Sequence, residues 1–208
     1  MLNSVYLFAA TRWEVSHLLY QLPDSSVILT GIGMKNSYKI PHSTQCPLSI
    51  SFGFSGATHE SLRPYDIVLA NQTRHIVYQK GWQTKEELVF PEWNLSSYHD
   101  TRFEHSRVVW GQIGTVHHLI LTPLGKKNLG ESRAVCAIDM ESFGISQAAK
   151  KYNSPFLAIR IILDSVDEPL FGWRPWQFPK RVSQAREILG RFVAGFLEQK
   201  MRPLLEHL

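Results

Sequence analysis

The chain is predicted to fold as an α/β protein, a three-layer α/β/α sandwich around a central mixed, partly barrel-like β-sheet. Short apolar runs recur along the 208 residues, several of them apolar throughout, as in strands covered on both faces. Helical patterns lie between some of these runs, and alternation of the two makes a layered α/β domain. No internal repeat or low-complexity linker divides the chain, so residues 1–208 are expected to form one domain.

The first run, SVYLFAA, reads as a strand, with a helix starting near Trp13. SVILTGIG is a second strand entering a glycine turn, and PLSISFGFSG and DIVLANQT are two more. SRVVWGQIG and VHHLILTP continue the strand pattern. AIDMESFGISQAAKKYN then places Met140, Gly144, Ala148 and Ala149 at helical spacing, ahead of the strong strand FLAIRIILDS. The aromatic stretch Pro169–Pro179 is expected to be no regular helix, because its prolines remove donors and restrict their neighbours. It follows a strand end, where α/β sheets bind ligands, so Trp173, Trp176 and Phe178 are candidates to cover an apolar ligand or to pack on one another. From Ser183 to His207, Ile188, Leu189, Phe192, Phe196 and Leu197 mark one face of a C-terminal amphipathic helix.

Composition narrows the function. The chain is 44% hydrophobic and 19% charged, which excludes a disordered protein. A net charge of +4 with scattered Lys and Arg lacks the basic stripe and reading module of a nucleic-acid binder. Cys46 and Cys136 are far apart, so neither a disulfide framework nor a structural zinc site is expected, which suits a reducing cytoplasm. The opening has no basic n-region, and no apolar stretch approaches the ~20 residues of a membrane span. Peripheral membrane contact stays open; stable insertion is not expected.

Several motifs fail on inspection. Thr30-Gly31-Ile32-Gly33 is followed by Met34-Lys35-Asn36, not by the rest of a dinucleotide fingerprint. Gly53-Phe54-Ser55-Gly56 misses the spacing of a nucleophile elbow. His117 and His118, adjacent in an expected strand, would point to opposite faces and cannot share a metal. No metal or cofactor is therefore expected. Three acids remain: Glu14 after the first strand, Glu141 where AVCAI gives way to a helix, and Asp164 at the end of FLAIRIIL. All stand at strand ends or helix starts of one sheet, where they can converge on a cleft. Carboxylates there are costly to desolvate and need a reason.

Taken together, these segments resemble the nucleoside phosphorylase and nucleosidase superfamily over most of the chain. FAATRWEVSHLL is similar to that family's opening, SVILTGIGMKNSYKI to its glycine turn, and SISFGFSGATHESLRPYDIVLAN to its central strand–turn–strand motif. AVCAIDMESFGISQAAKKYNSPFLAIRIILDSVDE resembles its most diagnostic segment, with the Met-Glu pair at Met140 and Glu141 and the aspartate at Asp164. The resemblance implies cleavage of a purine nucleoside at its N-glycosidic bond. It makes Glu141 the ribose clamp with Met140 against the sugar, Asp164 the general acid toward purine N7, and Glu14 the group that activates water. Phe54, Ser55 and Gly56 would line the ribose and nucleophile side, and Asp139 would join the substrate-binding set.

Phosphorolytic relatives place a serine where Phe54 stands and an arginine just before the glycine turn. Without that cationic clamp phosphate binds weakly, and water is the expected nucleophile. A phosphorylase and a nucleoside-binding protein with degraded chemistry remain alternatives. Leu163 precedes Asp164 where methylthioadenosine/adenosylhomocysteine nucleosidases commonly carry serine, and futalosine hydrolases tend toward asparagine at the acid position. The Asp-Met-Glu-Ser form and the lysine-containing stretch before it look most like the hopanoid-associated members, which release adenine from adenosylhopane. The segment between Leu22 and Val27 is short, which suggests a more open 5′ side. A homodimer is implied, because similar enzymes complete their pockets across subunits.

Overall fold

The structure is a computed structural model. It describes residues 5–16, 18, 27–37, 48–91, 100–168, 170 and 175–201. Strands β1 (Val5–Ala9), β2 (Val27–Leu29), β3 (Leu48–Ala57), β4 (Ile67–Ala70), β5 (Gln72–Tyr78) and β6 (Trp82–Val89) come first. They are followed by β7 (Thr101–Phe103), β8 (Ser106–Trp110), β9 (Ile113–Thr115), β10 (Ala137–Asp139) and β11 (Phe156–Asp164). The helices are α1 (Arg12–Val15), α2 (Met34–Ser37), α3 (Pro123–Arg133), α4 (Ser142–Lys151) and α5 (Phe178–Phe196).

All the described strands join one mixed sheet, in the order β6-β5-β9-β10-β3-β11-β4-β8-β7, with β1 and β2 branching off β3. The branch point sets the site. β11 runs parallel to β3 along one edge, from Phe156 opposite Ser49 to Asp164 opposite Gly56. The other edge of β3 is shared: β1 pairs with Leu48 to Ser51, and β10 with Gly56 and Ala57. Between them, the backbone from Phe52 to Ser55 faces a gap with no strand partner. Backbone groups in such a gap must find side chains or water.

Two cores flank the sheet. Leu48, Ile50 and Phe52 of β3 and the odd-numbered residues Leu157 to Leu163 of β11 pack against Val182, Ala185, Leu189, Phe192 and Val193 of α5. The opposite core combines Phe156, Ala158 and Ile162 with Met34 of α2 and Phe143, Ile145 and Ala149 of α4. On that side β3 presents Ser49, Ser51, Gly53, Ser55 and Ala57, an alternation of small residues that leaves room for polar groups from β11.

The element boundaries differ from expectation in three places. VHHLILTP is not a strand. β9 ends at Thr115, and the following loop leaves Leu119 63% and Leu121 51% exposed. The hairpin β5–β6 carries a polar outer strand whose composition hid it. The C-terminal helix starts at Phe178, five residues before the expected Ser183, because Pro179 falls in its first turn, where a missing N–H costs nothing. It ends at Phe196 and passes into a π-turn over Leu197–Met201; residues 202–208 lie outside the described residues. Phe178 packs on the α5 core, and Trp176 is 72% exposed and lines neither cavity described below. Trp173, the segment 22–26 and Cys46 lie outside the described residues.

Candidate active site

Glu14 fills the gap in β3. It is buried at the third position of the short helix α1, where its Oε2 accepts from Thr11 N at 2.8 Å, as in a capping box. Its Oε1 accepts from Phe54 N at 3.2 Å, satisfying a backbone donor that no strand reaches. The fit depends on Gly53, since a Cβ there would lie 2.5 Å from Glu14 Oε1. Burial raises the Glu14 pKa, against the lowering effect of these N–H groups and of the Arg160 charge.

Glu141 reaches the same region from the start of α4. Its Oε1 accepts from Gly33 N at 2.8 Å, across 108 residues of chain. Gly33 has φ +93°, a left-handed conformation that suits glycine and aims its amide at the carboxylate. Gly144 of α4 leaves no room for a Cβ against Ser37 Oγ, so α2 lies close on α4 and keeps this contact short. Burial first, then the charge of Asp139, pushes the Glu141 carboxyl up to about 7.

That shift has a sign that can be measured. A carboxyl raised from 4.5 to about 7 contributes stability that is full below pH 4.5 and is lost as pH rises through 7. Glu141→Gln keeps an acceptor for Gly33 N and removes the buried charge. At pH 8 the variant should melt several degrees above the parent, with the gap closing toward pH 4.5, in paired thermal melts. An unchanged gap across this range would place the charge cost elsewhere.

Beneath the two glutamates lies Arg160, 2% exposed in the middle of β11. Its Nε donates to Asp139 Oδ2 at 2.7 Å, and its Nη2 donates to Ser51 Oγ at 2.6 Å and Ser142 Oγ at 2.8 Å. This revises the place of Asp139. Its side chain has no exposure, and its carboxylate also accepts from Thr115 Oγ1 at 2.7 Å and from Ser142 N. The Asp139 carboxylate is thereby engaged by Arg160 and the start of α4, while the residue lines the small cavity described below.

Asp164 ends β11 past a register shift between Ile162 and Asp164, a bulge that brings it opposite Gly56. Its Oδ1 would lie 2.8 Å from a Cβ on Gly56, so a larger residue there would push the carboxylate aside. Oδ2 accepts from Leu170 N at 3.1 Å and from Lys126 Nζ of α3. Lys126 is 2% exposed and forms an ion pair with Asp164. Neither Lys126 nor Arg160 was singled out from the sequence. Arg160 was signalled by being the lone charge inside an apolar strand.

Asp164, Lys126, Gly56 and Met140 line a small cavity of about 40 Å³, room for little more than a water. Val116, Leu119, Ile120 and Leu121 separate it from an open cleft of about 1480 Å³, which Met140 and Gly33 also line. Ser55 Oγ is buried with no hydrogen-bond partner among the described residues. Phe54 is half-buried against the α5 core, so its backbone, not its ring, serves the gap. His117, in the loop after β9, sits 3.3 Å from His75, nitrogen to nitrogen; among the described residues no group of three or more His, Cys, Asp or Glu could hold a metal.

The profile of the Phosphorylase superfamily matches residues 24–198. The chain belongs to this superfamily. Its fold is that of solved nucleosidases of the superfamily. The 5′-methylthioadenosine/S-adenosylhomocysteine nucleosidase of Neisseria meningitidis, in complex with methylthio-immucillin-A, superposes with a TM-score of 0.73 at 18% identity, covering 91% of this chain and 96% of that one. The corresponding enzyme of S. pneumoniae gives 0.72 at 18% identity, over 93% and 97%. A futalosine hydrolase mutant of Helicobacter pylori gives 0.67 at 14%, over 94% and 98%. No curated protein matches this sequence. At these identities the superfamily likeness establishes the mixed α/β sheet flanked by helices. Among the described residues no helix is long and apolar enough to cross a membrane.

Proposed function

We propose that the protein cleaves the N-glycosidic bond of a purine nucleoside by hydrolysis, releasing adenine from a 5′-substituted adenosine. The observation that carries this is the arrangement of three buried carboxylates, Glu14, Glu141 and Asp164, around one branch point of the sheet. Glu141 binds the ribose hydroxyls with Met140 against the sugar. Glu14 takes the proton of the attacking water beside the backbone of Phe54, Ser55 and Gly56. Asp164, with Lys126 on its carboxylate, meets the base from the wall of the small cavity. Water is favoured over phosphate because the nearby guanidinium of Arg160 already serves Asp139, Ser51 and Ser142, while Arg12 is exposed.

The cleft beyond Met140 is larger than a nucleoside needs, and Ile32, Ile76, Tyr78, Trp82 and Leu121 line it. A bulky apolar 5′-substituent, as in adenosylhopane, suits those walls. Product analysis over adenosine, 5′-methylthioadenosine, S-adenosylhomocysteine and an adenosylated lipid, with and without phosphate, tests the reading. Adenine and free ribose product are expected without phosphate. Strict phosphate dependence with ribose 1-phosphate would make it a phosphorylase, and binding without any base release would overturn the catalytic reading.

Ile32, Tyr78, Leu119, Leu121 and Leu124 are large, exposed and grouped around the cleft mouth. We assign this surface to a second copy of the chain, in a homodimer that completes the cleft. Sedimentation should find a dimer, and Leu121→Asp with Leu124→Asp should yield monomers. A parent that sediments as a monomer at micromolar concentration would rule the assignment out.

A further inference from the structure

Lys126 is the only lysine buried among the described residues, and it lies in the first turn of a helix whose neighbouring positions Pro123 and Leu124 are exposed. A lysine placed there costs nothing if its ammonium stays in water; buried, it needs a partner for its charge. This one turns inward to the floor of the small cavity. Its Nζ would lie 3.2 Å from a Cβ on Gly56, beside Asp164 Oδ1 at 2.8 Å from the same point. A donor and an acceptor therefore stand side by side over the bare α-carbon of Gly56. Asp164 Oδ2 is already occupied by two donors, Lys126 Nζ and Leu170 N. In this pair Lys126 Nζ is the donor and the Asp164 carboxylate the acceptor.

Resting on the nucleoside-cleaving reading above, we propose that Lys126 is a catalytic residue that gives its proton to N7 of the departing purine, while Asp164 accepts from the exocyclic amine. An adenine edge offers N7 as acceptor beside an amine donor, complementary to the Lys126–Asp164 order. A 6-oxopurine offers two acceptors, one of which would face the carboxylate. The step balances as follows. The C1′–N9 bond breaks with its electron pair passing to the purine ring, and N7 takes a proton from Lys126 Nζ, which becomes a neutral amine. Water adds to C1′ as hydroxide, its proton passing to Glu14. Solvent then returns a proton to Lys126 and removes one from Glu14, leaving neutral adenine and free ribose.

Two variants test this on 5′-methylthioadenosine. Lys126→Arg preserves the ion pair but substitutes a guanidinium that does not release its proton. It should melt near the parent and release adenine about 10²-fold more slowly. Lys126→Ala should lose a comparable factor and regain part of it with added methylamine or ethylamine, to an extent that follows the basicity of the amine. Both variants should cleave 4-nitrophenyl riboside, whose leaving group needs no proton, nearly as fast as the parent. Full activity of Lys126→Arg would reduce the lysine to an ion-pair role and overturn the proposal. So would equal losses on both substrates with no rescue by amines. If Asp164→Asn is inactive on 5′-methylthioadenosine while Lys126→Ala is not, the lysine proposal falls and the nucleosidase reading stands. A parent that releases no base from any nucleoside of the panel takes both down.

Discussion

On the proposed mechanism, replacing Asp164 by asparagine is expected to slow base release by about 10²-fold or more, because the carboxylate positions the proton donor Lys126 and accepts from the base. The exchange is nearly isosteric. The amide oxygen can still accept from Leu170 N and Lys126 Nζ, and the side chain still fits over Gly56. Folding should therefore survive. What disappears is the negative charge that orients Lys126 and anchors the base. The variant should bind a nucleoside and hold it, which calorimetry can read alongside the rate. Wild-type turnover by Asp164→Asn would show that the base is neutralised from another direction.

The largest effect on stability should come from Arg160→Met. The side chain fits the volume but leaves Asp139 charged, with no exposure and no cation, and leaves Ser51 and Ser142 without their shared partner. Breaking a buried pair from one side costs about 3–5 kcal/mol, which for a chain of this length lowers Tm by roughly 10 °C. Adding Asp139→Asn should recover part of that loss, since the uncompensated charge goes with it. A double-mutant cycle by denaturant unfolding measures the coupling. Purely additive losses would mean that the pair is not the element holding β10, β11 and α4 together. Arg160→Met should also deepen the burial cost at Glu14 and Glu141, because its charge lowers the pKa of both.

Much of this is legible in the sequence. The three carboxylates stood at strand ends, and a strand end is where an α/β sheet places its ligands. The fold class followed from apolar runs alternating with helical ones. What escaped was whatever depended on contacts between distant segments. Lys126 looks like any lysine of a polar helix, and only the direction of α3 relative to Gly56 turns it inward. Asp139 and Glu141 are two residues apart and chemically alike, yet one meets Arg160 and the other Gly33. No local pattern separates them. VHHLILTP has strand composition, but with no neighbouring edge to pair with it became the loop between the two cavities. Arg160 is the instructive miss. A charge inside FLAIRIIL is incompatible with a dry core unless something receives it, and the small residues alternating along SISFGFSGA were its receiving surface.

Position 54 has a separate consequence. Glu14 is anchored by the amide of Phe54, and every non-proline residue carries that amide. The side chain at this site is thereby uncoupled from the group that handles the nucleophile. Evolution can exchange the residue that stands there without dislodging Glu14, because the ring packs toward α5 and only the amide faces the gap. A laboratory attempt to change what the gap receives should begin instead at Ser55, whose buried hydroxyl has no hydrogen-bond partner among the described residues.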